Sequence, residues 1–241
     1  MFFKKADKKA EALQKEAQKN ESLAMKSFRF IGEVFYNIIT ILLIVIVLRT
    51  FIVSPFHVSG TSMTSTLQNN DYIIIEKLSY RFSEPEFGDI VVFTPPTPRM
   101  RQVDGVQCFL AEVSAFHFSD KECKLPDFFI KRVIGVPGDI IEVKDGEVFR
   151  NGEILDEVYL DQFNAHRTFV PEEEQYKKYE VPAGRYFVLG DNRNGSSDSR
   201  AHAYEWRSKE TGDLDPFVFQ EDIEGRLLIR LVSPKKIQEW F

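Results

Sequence analysis

The residues able to do chemistry in this 241-residue chain fall in four short clusters. The first, Pro55 to Leu67, reads PFHVSGTSMTSTL, a hydroxyl-rich turn between apolar residues with Ser62 at its centre. A serine is a nucleophile only where a base activates it. The cluster is not the GxSxG elbow, because position 64 is Thr. The second cluster, Gly88 to Phe93, reads GDIVVF, a turn entering a buried strand. The third, Lys131 to Asp139, reads KRVIGVPGD, and Lys131 follows Phe129 and Ile130 in an apolar strand. A lysine so placed is either an exposed edge charge or a desolvated amine. Desolvation lowers an amine pKa until the group can serve as a base near neutrality. The fourth, Gly190 to Arg200, reads GDNRNGSSDSR, a polar loop suited to Asp–Arg pairs and Asx turns. A Ser/His arrangement would need one of His57, His117, His166 or His202. His57 is five residues from Ser62, but closeness in sequence is not closeness in space.

The elements that must hold these residues follow from composition and pattern. The chain is 43% apolar and 28% charged, values of an ordinary globular protein, which excludes collagen-like, disordered and disulfide-scaffold classes. A net charge of -6 argues against a general nucleic-acid binder. Two cysteines with no CxxC cannot form a four-cysteine zinc site, and no metal or cofactor is expected. Charge is uneven: residues 1–33 carry 8 Lys+Arg against 5 Asp+Glu, a net of +3, which leaves -9 for the remainder.

The apolar run Val34 to Leu48 separates the two parts, and Thr50 to Val53 extend it past Arg49. Residues 34–53 are long enough for a transmembrane helix, with Arg49 snorkelling near one end. A buried core helix fits less well, because the run is apolar on all faces. A cleaved secretory signal also fits less well: the run starts late, and no small-x-small site follows it. The lysine-rich segment 1–33 then lies in the cytoplasm by the positive-inside rule, and residues 54–241 lie beyond the membrane.

The segments Tyr72–Glu76, Asp89–Phe93, Phe129–Val136, Ile140–Val143, Glu147–Arg150, Tyr186–Leu189 and Arg226–Leu231 read as short strands. Asp145-Gly146 and Asn151-Gly152 are hairpin turn signals. No long amphipathic helix follows residue 60, so a mainly β, antiparallel fold is expected. Residues 95–128 and 201–220 read as insertions, the second bringing Trp206 either to lipid or into an ordinary loop. Residues 161–180 read as a polar loop.

In this order, behind an N-terminal anchor, the four clusters resemble the conserved boxes of the type I signal peptidases, membrane-bound serine proteases that remove signal peptides. The resemblance covers the anchor and most of residues 51–233. It implies a signal-peptidase-like antiparallel β catalytic domain after one transmembrane helix. Ser62 then corresponds to the nucleophile and Lys131 to the general base, a Ser/Lys dyad. Ser196 corresponds to the serine that orients the lysine, Asp198 and Arg200 to a structural ion pair, and Asp191 to a neighbour in the same box. The Ser62 backbone N–H is expected in the oxyanion hole. Gly60 stands where one branch of the family carries a serine donor, so the second donor is left open. Ser65 stands where many members have proline.

Phe56, Val58, Leu67, Ile73, Phe129 and Ile130 correspond to positions lining two shallow apolar pockets. Such pockets accept Ala-x-Ala-like segments, bound extended as an added strand. The implied partners are signal-peptide-bearing preproteins, membrane lipid and a nearby secretion translocase, at a plasma membrane. A non-catalytic membrane-anchored β-domain homologue is the alternative; it would have lost Ser62 or Lys131, and both are present. Cys108 and Cys123 share the first insertion, where an oxidising exterior permits a disulfide closing a loop of about fifteen residues, worth about 3 kcal/mol.

Overall fold

The computed structural model describes residues 3–97, 100–102, 124–170, 178–200, 206–207, 212–213 and 215–231. The chain divides into two compact units, Met1–Val47 and Leu48–Phe241. Helix α1 runs Phe3–Phe51. Its stretch Phe28–Phe51 is 24 residues long with a mean hydropathy of 2.5. At 1.5 Å per residue it extends about 36 Å, enough to cross a hydrocarbon core of about 30 Å. The apolar helical stretch therefore begins before Val34 and stops short of Val53. The stop has a local cause. Pro55 cannot continue a helix and biases Ser54 toward extended backbone. Ser54 Oγ instead donates to Arg49 O at 3.0 Å, and the chain turns directly into a strand.

The described strands, in chain order, are β1 (Val53–His57), β2 (Tyr72–Glu76), β3 (Ile90–Phe93), β4 (Met100–Gln102), β5 (Lys124–Pro126), β6 (Phe129–Gly135), β7 (Ile140–Lys144), β8 (Glu147–Arg150), β9 (Glu153–Ile154), β10 (Lys178–Glu180), β11 (Arg185–Leu189), β12 (Val218–Phe219) and β13 (Ile223–Leu231). A seven-stranded sheet has the order β1-β2-β13-β3-β6-β11-β12, and a four-stranded sheet the order β10-β7-β8-β9. Every strand pairing within these two sheets and within the small β4–β5 ribbon is antiparallel. The expected mainly β, antiparallel class is the one observed. Pro55 is tolerated because β1 is an edge strand, where a missing N–H breaks no ladder. The hairpins β7–β8 and β8–β9 turn through Asp145-Gly146 and Asn151-Gly152, with φ of 53° and 85°, then 55° and 85°. Positive φ at both central residues is what a two-residue hairpin loop requires.

Three apolar clusters fill the β unit. Ile134, Ile141, Val148, Phe187 and Leu189 anchor one; Val91, Phe93, Val133, Val188 and Trp206 a second; Val58, Met63, Leu67, Ile73, Ile75 and Val92 the third. Trp206 corrects one of the two expectations for the second insertion. It is 1% exposed and packs edge-to-face on Phe93, 6.0 Å between ring centres, so it does not reach lipid. The polar loop 161–180 includes strand β10 on the small sheet. The first insertion leaves and returns through the β4–β5 ribbon, and Cys108 and Cys123 lie outside the described residues.

Candidate active site

Ser62 sits in the turn between β1 and β2, and that turn is pinned from below. Met63 and Leu67, each 1% exposed, plug the third apolar cluster, while Thr64 N and Leu67 N donate to Thr61 O and Met63 O at 3.1 and 2.6 Å. Burial of the apolar neighbours holds the polar residues between them outward. Lys131 projects from the middle of β6, a strand flanked by β3 and β11. Its Nζ lies 2.7 Å from Ser62 Oγ and 2.9 Å from Ile130 O. These two residues, 69 apart in sequence, form one hydrogen-bonded pair.

Lys131 is 3% exposed, and its Nζ stands 5.3 Å from the centre of the Phe129 ring. Burial pulls its pKa down to about 8, against the opposing pull of the Asp198 and Asp191 carboxylates. Among the described residues no ion pair relieves the amine. A base of this kind is partly neutral near pH 7 and needs no histidine. Of the two described histidines, His57 meets Tyr72 edge-on with ring centres 5.2 Å apart, and His166 pairs with Glu147. Neither bonds Ser62. His117 and His202 lie outside the described residues.

The Gly190–Arg200 loop folds over both site residues. Asn192 N donates to Ser62 O at 2.9 Å, and Asn192 Nδ2 to Thr61 O at 3.0 Å. Gly190 allows the approach: a Cβ there would stand 2.5 Å from Ser62 O and from Ser196 Cβ. Asp191 is fully buried and is gripped by Arg132 at 3.0 and 2.7 Å, while Thr66 Oγ1 donates to it as well. Arg132 also donates to Gly88 O at 3.0 Å and lies over the Tyr159 ring at 3.9 Å. The expected Asp198–Arg200 pair is present as a two-toothed contact of 2.9 and 2.8 Å. Burial pushes the Asp198 carboxyl up, but Arg200 and the Gly190 N–H outweigh it and hold the group below the usual carboxylate range.

Two expected placements differ. Ser196 Oγ makes no hydrogen bond to Lys131. It lies near enough to Asp198 to favour the ionised carboxylate, yet without hydrogen-bond geometry, and it is buried and unpartnered. Gly60 supplies no oxyanion donor from its main chain, because its N–H is committed to Asn69 Oδ1 at 2.9 Å. The six pocket positions also divide. Val58, Leu67 and Ile73 are buried in the third cluster, Phe56 and Ile130 are its half-buried rim, and Phe129 packs with the second cluster. Alternation along β6 separates Phe129 from Ile130: neighbouring residues face opposite sides of the sheet. Phe128, unremarked in the sequence, joins the rim with its ring 5.3 Å from Phe56. Arg132 and Asn192 were equally inconspicuous. Both stand inside the quoted motifs, so only their contacts separate them from their neighbours. Among the described residues no cluster of His, Cys, Asp and Glu could hold a metal ion.

Residues 31–232 match the profile of the family described as signal peptidase, peptidase S26. A probable signal peptidase I-2 of Synechocystis is 36% identical over 81% of this chain and 75% of its own. The thylakoidal processing peptidase 1 of Arabidopsis thaliana chloroplasts is 33% identical over 80% of this chain and 46% of its own. A crystal structure of a signal peptidase I from Enterococcus faecalis, 27% identical, aligns with 61% of this chain and 98% of its own at a TM-score of 0.35. On the family match over residues 31–232 and the 36% identity to a relative matched over 75% of its length, the chain belongs to the signal peptidase family, peptidase S26.

Proposed function

We propose that this protein is a membrane-anchored serine endopeptidase that removes N-terminal signal peptides from exported preproteins, with Ser62 as nucleophile and Lys131 as general base. The observation that carries the reading is the 2.7 Å contact between Ser62 Oγ and a buried Lys131 Nζ that has no carboxylate partner among the described residues. A neutral amine has one lone pair and two N–H groups. One N–H directed at Ile130 O leaves the lone pair to meet the Ser62 hydroxyl. Ser62 Oγ gives its proton to Nζ as it bonds to the scissile carbonyl carbon, and the carbonyl oxygen becomes an oxyanion facing the Ser62 N–H. The Lys131 ammonium then passes that proton to the leaving nitrogen as the C–N bond breaks. In the second half Lys131 Nζ, neutral again, takes a proton from a water that attacks the acyl carbon, and returns it to Ser62 Oγ as the ester C–O bond breaks.

The half-buried rim of Phe56 and Ile130 supports apolar contact with small side chains before the cut, of the Ala-x-Ala kind. Val58, Leu67 and Ile73 shape that rim from beneath, and Phe129 shields the amine. The Phe28–Phe51 helix, preceded by lysines, supports a single span with a cytoplasmic N-terminus, a plasma-membrane setting and a catalytic unit on the far side. Protease added to intact spheroplasts should digest the β unit and spare the N-terminus; the reverse pattern would overturn the orientation.

The decisive test is cleavage of a preprotein by the detergent-solubilised chain, with the cut mapped. Ser62→Ala and Lys131→Ala should each abolish cleavage without unfolding, and the double variant should lose no more than either. The rate should rise with pH through about 8, because only the neutral amine accepts a proton. Activity that survives Lys131→Ala would remove the lysine from the mechanism. A wild-type chain inert toward every preprotein would favour the non-catalytic reading.

A further inference from the structure

The geometry points to Asn192 as the positioning residue for the oxyanion donor: its side chain fixes the Thr61–Ser62 peptide plane and so aims the Ser62 N–H. This inference rests on the reading of Ser62 as the nucleophile. Thr61 C=O and Ser62 N–H belong to one peptide unit, and the described residues contain no cis peptide bond. In a planar trans peptide the two groups point in opposite directions. Whatever holds the Thr61 oxygen therefore sets the direction of the Ser62 hydrogen.

Three donors converge on that oxygen. Thr64 supplies its N–H at 3.1 Å and its hydroxyl, both from within the turn. Asn192 Nδ2 supplies the third at 3.0 Å, from the opposite loop 131 residues away. The Asn192 N–H holds Ser62 O at 2.9 Å, so one residue grips the peptide units on both sides of Ser62. Among the described residues the Ser62 N–H itself has no acceptor, which leaves it available to a developing oxyanion. Hydrogen bonds to a peptide oxygen also polarise the N–H at the other end of the same unit, strengthening it as a donor. A preset donor acts mainly on the transition state, where the negative charge resides.

The test is steady-state cleavage of a synthetic signal peptide, paired with inhibition by a peptide aldehyde ending in Ala, which forms a tetrahedral adduct on serine. Asn192→Ala should lower kcat about 10- to 100-fold, below the loss from deleting a direct oxyanion donor, with KM within about twofold. Aldehyde affinity should fall in parallel with kcat, and the pH at which the rate rises should not move. Thr64→Val removes the second side-chain donor at constant volume and should show the same pattern at about 3- to 10-fold. A purely structural role for Asn192 would instead spread the loss over KM, or leave aldehyde affinity intact. Full kcat in Asn192→Ala would overturn the inference; if that variant does not fold, an unchanged kcat in Thr64→Val does so. Equal cleavage by wild type and Ser62→Ala would sink the proposed function itself, whereas an active wild type with an inactive Ser62→Ala confines any failure to Asn192.

Discussion

Lys131 and Arg132 are consecutive residues of β6, both basic and both buried, and the fold treats them in opposite ways. Arg132 is bound on two sides by Asp191, reaches Gly88 O and lies over Tyr159. Two residues of the facing loop repeat the pattern. Arg200 is forked by Asp198, and Arg193 is paired with Glu157 and Thr168. Among the described residues Lys131 has a hydroxyl and a carbonyl as partners, and no carboxylate. The carboxylates that could pair it are already held by arginines. They act on the amine only through space, and burial outweighs them. A permanent guanidinium must be neutralised to be buried, whereas an amine can shed its proton instead. The paired arginines build the floor, and the unpaired lysine remains free to titrate.

The largest test of this contrast gives Lys131 its neighbour's chemistry. Lys131→Arg makes the charge permanent and removes the lone pair, so cleavage should fall about 10³-fold or more. The buried guanidinium, with no carboxylate to neutralise it, should also lower stability in denaturant titration. Residual turnover within tenfold of wild type would mean that no base is needed at this position. Breaking a floor pair comes next. Asp198→Asn strands a buried Arg200 and should destabilise the fold by about 3–4 kcal/mol in denaturant titration. Because Asp198 raises the Lys131 pKa, its loss should also move the rise of the rate to lower pH in whatever enzyme remains folded. A shift to higher pH would contradict the assigned electrostatics.

Arg132→Lys keeps the charge near Asp191 but loses the fork and the contact with Gly88 O. Denaturation should show a loss of about 2 kcal/mol; none at all would mean that the fork holds nothing. The smallest effect is expected at Ser196. A buried hydroxyl left without a partner beside the dyad asks for a function, and contact with the amine during turnover would supply one. Ser196→Ala should lower kcat about tenfold with the melting temperature unchanged or slightly raised, since no native hydrogen bond is lost. An unchanged kcat would place Ser196 outside the reaction.

Much of this molecule is local enough to be written in the order of its residues. Tyr72–Glu76 and Glu147–Arg150 are strands because β-branched and aromatic residues fill them and turn residues bound them. Asp145-Gly146 and Asn151-Gly152 tolerate the left-handed backbone that a tight hairpin demands. The types of Ser62 and Lys131, and the four motifs around them, are likewise plain in the chain. Other features exist only once distant segments meet. β1 hides in the sequence because the apolar run passes from helix to strand without a change in polarity; Pro55 ends the helix locally, but pairing with β2 is what makes the residues around it a strand. β12 is two residues long and is a strand solely because β11 lies beside it. Trp206 sits among polar residues and is buried because Phe93 and Val218 await it. The same holds for the site. Hydropathy can say that Lys131 is in an apolar strand, but not whether a carboxylate reaches it. That was decided when Arg132 and Arg200 took Asp191 and Asp198, leaving Ser62 Oγ and Ile130 O as the hydrogen-bond partners of the amine. A pKa depends on the three-dimensional arrangement of charge and solvent around a group, and neighbours along the chain supply only part of it.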